Sequence, residues 1–167
     1  MRRNPSLRRL SKQLAQGKKT CEQLIIERLV IANTADGVFT HRYDDLMDQA
    51  RAIDQAMSTG ELSRLAGIPV TLKDLFNIKG ERTCAGSRVL DAIAPVAEED
   101  AEVVGHLRDA GMLFFGRTNM SEFAFSGMGL NPHFPHLYSV WDRETGRLPG
   151  GSSSGSAVSV ALGIVPG

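Results

Sequence analysis

Two short, mostly apolar runs separated by a helical pattern constrain this chain more than any other feature. Ile68-Pro-Val-Thr-Leu72 is brief and β-branched, and Met112-Leu-Phe-Phe115 is a second run of the same kind. Such runs, bounded by turn residues, suit strands buried on both faces. Between them, Val103, Val104 and Leu107 mark one face of a helix that Gly111 can stop. Strand, helix, strand is the pattern of a βαβ unit, whose parallel strands need helical cover. The expected fold class is therefore α/β, a sheet flanked by helices.

The residues before Gly60 read as helices. Leu7, Leu10 and Leu14 fall on one helical face, with Gly17 as the stop. Thr20 can cap the next helix, with Gln23 as its capping-box partner, and Leu24, Ile25 and Leu29 form its apolar stripe. A third helix beginning near Tyr43 buries Leu46, Ala50, Ile53 and Met57, and Gly60 can close it. This change of texture divides the chain into a helical segment, residues 1–60, and an α/β core, residues 61–167, within one partial domain. Residues 126–151 are rich in Gly, Pro, Asn and His and read as a long surface loop. A helix then starts in the serine run, packs through Ala157, Val158, Ala161 and Leu162, and ends at Gly163. Ile164-Val165 reads as the opening of another strand just before the last residue, Gly167. An unpaired strand at a terminus leaves an open sheet edge, so the chain reads as truncated.

Charge excludes some functions. The formal net charge is zero, which gives no reason to expect nucleic acid or a membrane as partner. The distribution is uneven: residues 1–21 hold seven Arg or Lys and no Asp or Glu. Transit peptides share that composition, but a solvated helix is the preferred reading. No secretory signal or membrane-spanning run is evident, so a cytoplasmic protein is expected. The two cysteines, Cys21 and Cys84, lie far apart and fit no metal-binding spacing. His133 and His136 read as loop histidines and not as metal ligands.

Two constellations could carry chemistry. Lys73 follows an apolar strand, and ligands of open α/β sheets bind beyond the carboxyl ends of strands. Desolvation there favours the neutral amine, a competent general base. The competing reading is a surface lysine paired with Asp74. The second constellation is Pro149-Gly-Gly-Ser-Ser-Ser-Gly-Ser156, directly before a helical pattern. A phosphate cradle would require a lysine after the last glycine, and none is there. Gly151-x-Ser153-x-Gly155 fits a nucleophile elbow, although Arg147-Leu-Pro149 is a poor strand to precede one. A serine relay served by a distant lysine and a flexible Gly/Ser linker complete the alternatives.

Four ordered segments resemble one family. They are Leu65-Ala-Gly-Ile-Pro-Val-Thr-Leu-Lys-Asp74, Asp100-Ala-Glu-Val-Val-Gly-His-Leu-Arg-Asp-Ala-Gly111, Gly116-Arg-Thr-Asn-Met-Ser-Glu-Phe-Ala124 and Pro149–Ser156. Together they make the chain similar to the N-terminal part of the amidase signature family, which includes the glutamyl-tRNA amidotransferase A subunit. Phe123-Ala-Phe-Ser-Gly-Met-Gly-Leu-Asn-Pro132 looks more like the general amidases of that family. Asn131-Pro-His-Phe-Pro-His-Leu-Tyr-Ser-Val-Trp-Asp142 departs from the family's usual loop.

The resemblance implies a mixed sheet flanked by helices and hydrolysis of carboxylic amides by a Ser-cisSer-Lys triad, without metal or cofactor. Lys73 matches the general base and Ser152 the bridging serine. Gly150, Gly151 and Ser153 match the supporting loop. The nucleophile would lie about 24 residues beyond Ser152, and the glycine-rich backbone of the oxyanion hole would also lie past Gly167. A small-molecule amide is the implied partner, and a homodimer is open to the full-length relative. The alternative is a non-catalytic remnant, or one subunit of a split amidase.

Overall fold

The computed structural model describes residues 6–59, 63–142 and 144–167. The expected βαβ unit is present. Strand β2 (Pro69–Lys73) and strand β3 (Leu113–Thr118) pair in parallel, joined through helix α5 (Glu102–Asp109). All six residues of β3 are buried, as befits the central strand of the sheet. A third strand, β1 (Phe39–Arg42), lies antiparallel on its other side, so the sheet is mixed with order β1-β3-β2.

Strand β1 corrects the expectation that the first sixty residues are helical. Its sequence, Phe-Thr-His-Arg, has no apolar alternation to announce it. It forms because β3 offers a free edge and Phe39 stacks on Phe115, ring centroids 5.8 Å apart. A short helix, α4 (Arg88–Ile93), also went unread, since none of its residues is buried. Ile164 and Val165 form no strand. They follow the left-handed Gly163, turn back with the Ile164 amide on the Ser159 carbonyl, and are buried in the core.

The helices of the N-terminal segment follow their patterns. Helix α1 (Leu7–Ala15) buries Leu10 and Leu14. Helix α2 (Cys21–Ala32) carries the complete Thr20–Gln23 capping box. Its first amides gain a second acceptor: Cys21 N and Glu22 N donate to the two Asp54 oxygens at 2.6 and 2.9 Å. Asp54 belongs to helix α3 (Leu46–Ser58), so one carboxylate caps α2 and ties it to its neighbour. The expected stop at Gly60 lies outside the described residues.

Segments from both halves of the chain share one core. Cys21, Ile25, Leu46 and Ala50 meet Leu113, Phe115, Val158 and Ile164. Arg28 is buried among them, and its guanidinium donates to the Gly163 carbonyl at 2.8 Å, at the end of helix α6 (Ser154–Leu162). A cation at a helix C-terminus also meets the favourable end of the dipole. A smaller cluster of Leu72, Ile78, Val104 and Phe114 seats α5 on the sheet. Among the described residues no helix is long and apolar enough to cross a membrane.

Candidate active site

The site begins with an irregularity in the sheet. Val70 pairs with Phe114, but Thr71 pairs with Gly116, so β3 holds one extra residue there. Side chains alternate along a strand, so an extra residue reverses the faces presented by everything after it. Leu72 then aligns with Arg117, and Lys73 with Thr118. One face of the strand ends carries Asp74 and Arg117. The other carries Thr71, Lys73 and Thr118.

Helix α6 covers the second face. Ser156 and Ser159, three residues apart, share one side of it. Ser156 Oγ is 2.7 Å from Thr118 Oγ1, and Ser159 Oγ is 3.2 Å from Thr71 Oγ1. Gly155 permits this approach. A Cβ there would lie 2.7 Å from Asn119 N, and the Gly155 amide instead donates to Asn119 O at 2.9 Å. The residues just before the helix are thereby carried over the end of β2, where Lys73 Nζ and Ser152 Oγ meet at 2.6 Å. A charged lysine donates across that distance; a neutral one can accept the hydroxyl proton. Desolvation pushes the Lys73 amine below the ordinary lysine range.

Ser152 is held by its backbone. The Gly151–Ser152 peptide bond is cis. The Ser152 carbonyl accepts from Ser121 N at 3.0 Å, and Gly151 N donates to Gly127 O at 2.8 Å. Gly151 has no room for a side chain, since a Cβ would stand 2.7 Å from the Gly129 backbone. Gly150 adopts a left-handed φ of 79°. Ser153 takes the N-cap position of α6 but makes no side-chain cap bond. The supporting loop is thus itself supported by residues 121–129, and Ser121 Oγ braces that segment by donating to Ser126 O at 2.8 Å. Sequence reasoning placed Ser121 in a matching segment without giving it a role.

The opposite face resolves the rival reading of Lys73. Asp74 does not pair with it. Asp74 is 1% exposed and binds Arg117 Nε at 2.6 Å, while its other oxygen accepts from Gly86 N at 3.0 Å. Arg117 reaches on to Glu81 at 3.0 Å and to the Phe76 carbonyl at 2.9 Å. Burial works against the Arg117 charge, but its bonds to Asp74 and Glu81 outweigh that and raise its pKa. Tyr43 Oη donates to Glu81 at 2.6 Å. A cavity of about 600 Å³ opens on this side, lined in part by Asp74, Arg82, Cys84, Arg88 and Arg117. Neither Lys73 nor Ser152 lines it.

The long loop is pinned and not free. Asn131 Nδ2 donates to the carbonyls of Gly86 and Met120, both at 2.8 Å, and Leu137 is buried in the core. His133 Nε2 lies 3.3 Å from Glu122 Oε1. Among the described residues no group of three or more His, Cys, Asp or Glu is placed to hold a metal ion.

Comparison with known proteins places this chain in a family. A family model described as Amidase matches residues 23–167. The chain is 41% identical over 164 residues to the glutamyl-tRNA(Gln) amidotransferase A subunit from Cupriavidus taiwanensis, covering 96% of the chain and 32% of that relative. It is 44% identical over 121 residues to the protein of the same name from Coxiella burnetii, covering 72% of the chain and 24% of the relative. These relatives carry the amidotransferase name, whereas the segment from Phe123 to Pro132 had suggested the general amidases. Among solved structures, one described as that of an amidase superposes with a TM-score of 0.83 at 35% identity, over 96% of this chain and 37% of its own. The peptide amidase of Stenotrophomonas maltophilia superposes at 0.72 with 29% identity, over 96% and 34%. The chain thus spans about a third of the length of the relatives it covers most fully. On the family match and these likenesses, the chain belongs to the amidase signature family.

Proposed function

We propose that this chain supplies the base and the proton relay of an amide hydrolase. Lys73 is the general base and Ser152 the bridging serine of a Ser-cisSer-Lys triad. The observation that carries this reading is the 2.6 Å contact between Lys73 Nζ and Ser152 Oγ on a desolvated lysine with no carboxylate bound to it among the described residues. Neutral Lys73 takes the Ser152 proton, and Ser152 in turn takes the proton of the attacking serine. That serine adds to the amide carbonyl, and the amine departs with the proton returned along the same path. An acyl-enzyme remains, for water or another amine to resolve. The attacking serine is assigned to a segment outside residues 1–167, together with the oxyanion donors. The substrate class is a carboxylic amide, and a cytoplasmic location remains the expectation from composition.

Two measurements test this. The 167-residue chain should not react with a fluorophosphonate probe. It should support labelling and amide hydrolysis when co-expressed with the remaining two thirds of the Cupriavidus taiwanensis relative. Strong labelling of the chain alone would overturn the placement of the nucleophile. Activity in the reconstituted pair that survives both Lys73→Ala and Ser152→Ala would overturn the roles given to these residues.

A further inference from the structure

We propose that Arg117 is a positioning residue for Lys73: by binding Asp74 on the far face of the sheet, it keeps carboxylate charge off the Lys73 amine. This rests on reading Lys73 as the base.

The chain presents this site with a problem of adjacency. Lys73 and Asp74 are consecutive, and an acid next to a lysine ordinarily holds the lysine charged. A strand directs the two side chains to opposite faces, but an uncompensated charge is still felt across one sheet layer of low dielectric. Arg117 removes it. Its side chain is 3% exposed, and it binds Asp74 at 2.6 Å and Glu81 at 3.0 Å. The extra residue in β3 is what turns Arg117 toward Asp74 while leaving Thr118 beside Lys73. One guanidinium therefore binds both acids and offsets one of their two charges.

Among the described residues no carboxylate is bound to Lys73 on its own face. Strand β3 places Thr118 opposite Lys73, and α6 carries no charged residue at all, only serine hydroxyls. The far face carries Asp74, Glu81 and Arg117, and behind them α5 with Glu102, His106, Arg108 and Asp109. Of these, Arg108 is taken up by Asp100 at 2.8 Å. In the short helix after β3, Glu122 faces His133 at 3.3 Å.

The test is the titration of Lys73 itself, read by NMR of the full chain labelled with ¹³C at lysine Cε and assigned with Lys73→Arg. Arg117→Gln removes the charge but keeps an amide that can donate to Asp74. It should raise the Lys73 midpoint by about one pH unit, a tenfold gain in proton affinity. Arg117→Lys should restore most of the wild-type value. Should R117Q fail to fold, the double variant Asp74→Asn with Arg117→Gln carries the test, since it removes the pair together and should leave Lys73 near wild type. A wild-type midpoint that is depressed, yet unmoved in R117Q or lowered by about one unit in the double variant, would overturn the positioning role and leave the base intact. A wild-type midpoint in the ordinary lysine range would instead sink the reading of Lys73 as base.

Discussion

Lys73 and Ser152 stand 79 residues apart in sequence and 2.6 Å apart at Nζ and Oγ. One ends a strand, and the other precedes a helix laid across that strand. Their contact depends on how α6 seats on the sheet, through Ser156 on Thr118 and Ser159 on Thr71. In a reconstituted enzyme, Lys73→Met or Ser152→Ala should lower amide hydrolysis by about two to four orders of magnitude, the usual scale for a lost acid-base group. Residual activity within tenfold of wild type would argue against the relay.

The Lys73 environment also predicts a pH dependence of stability. Desolvation lowers the folded pKa, so the unfolded chain holds this proton to higher pH than the folded one. Below the folded value both states are charged, and the fold bears the full cost of the partly desolvated ammonium. Stability should then rise with pH from the folded value up to the ordinary lysine range near about 10.4, and gain nothing more from this group above it. Urea melts of wild type and Lys73→Met across that range should converge or cross as pH rises. A difference between them that is constant with pH would contradict the shift.

Two glycine-to-alanine changes should act in opposite directions. At Gly155 the new Cβ would stand 2.7 and 2.8 Å from the backbone N and O of Asn119, which cannot yield without moving the end of the sheet. Gly155→Ala should cost about 1–3 kcal/mol. At Gly105, within α5, a Cβ meets nothing within 4 Å, so Gly105→Ala should stabilise by about 0.5–1 kcal/mol. Urea midpoints of the two variants would check both signs.

Asp54 caps a helix from outside that helix. Asp54→Ala should destabilise by about 1–2 kcal/mol, because Cys21 N and Glu22 N both lose their acceptor. Amide hydrogen exchange should quicken at those two residues first. Unchanged exchange there would mean that the capping box alone secures the start of α2.

Both cysteines should be sluggish toward alkylation. Burial, aided by nearby Asp54, pushes the Cys21 thiol up to about 12. Burial, with Asp74 and Asp91, pushes Cys84 up to about 11. At pH 8, iodoacetamide should modify half-buried Cys84 about two orders of magnitude more slowly than free cysteine, and full reactivity should return in urea. Rapid labelling of Cys84 in the folded chain would contradict its raised pKa.

Much of the fold was legible because periodicity reports local burial. Leu10 and Leu14, Leu24 and Ile25, and Leu46 and Ala50 announced three helices, and all six side chains are buried. Strand β1 was not legible, because Phe39–Arg42 becomes a strand only through the free edge of β3. Ile164-Val165 misled for the converse reason: an apolar pair reads as a strand, yet the left-handed turn at Gly163 folds it back into the core.

The sequence by itself determined the α-helices other than α4, the βαβ unit and the two residue types, lysine after a strand and serine before a helix, that could carry chemistry. It left Lys73 between two partners, Asp74 beside it and a distant hydroxyl. Only the tertiary structure decided between them. One extra residue in β3 turns Arg117 onto the face of Asp74, and that pairing commits the acid elsewhere while α6 delivers Ser152 to Lys73. Local pattern cannot encode that choice, because it depends on strand register and on which side chains share a face across 43 and 79 residues of chain.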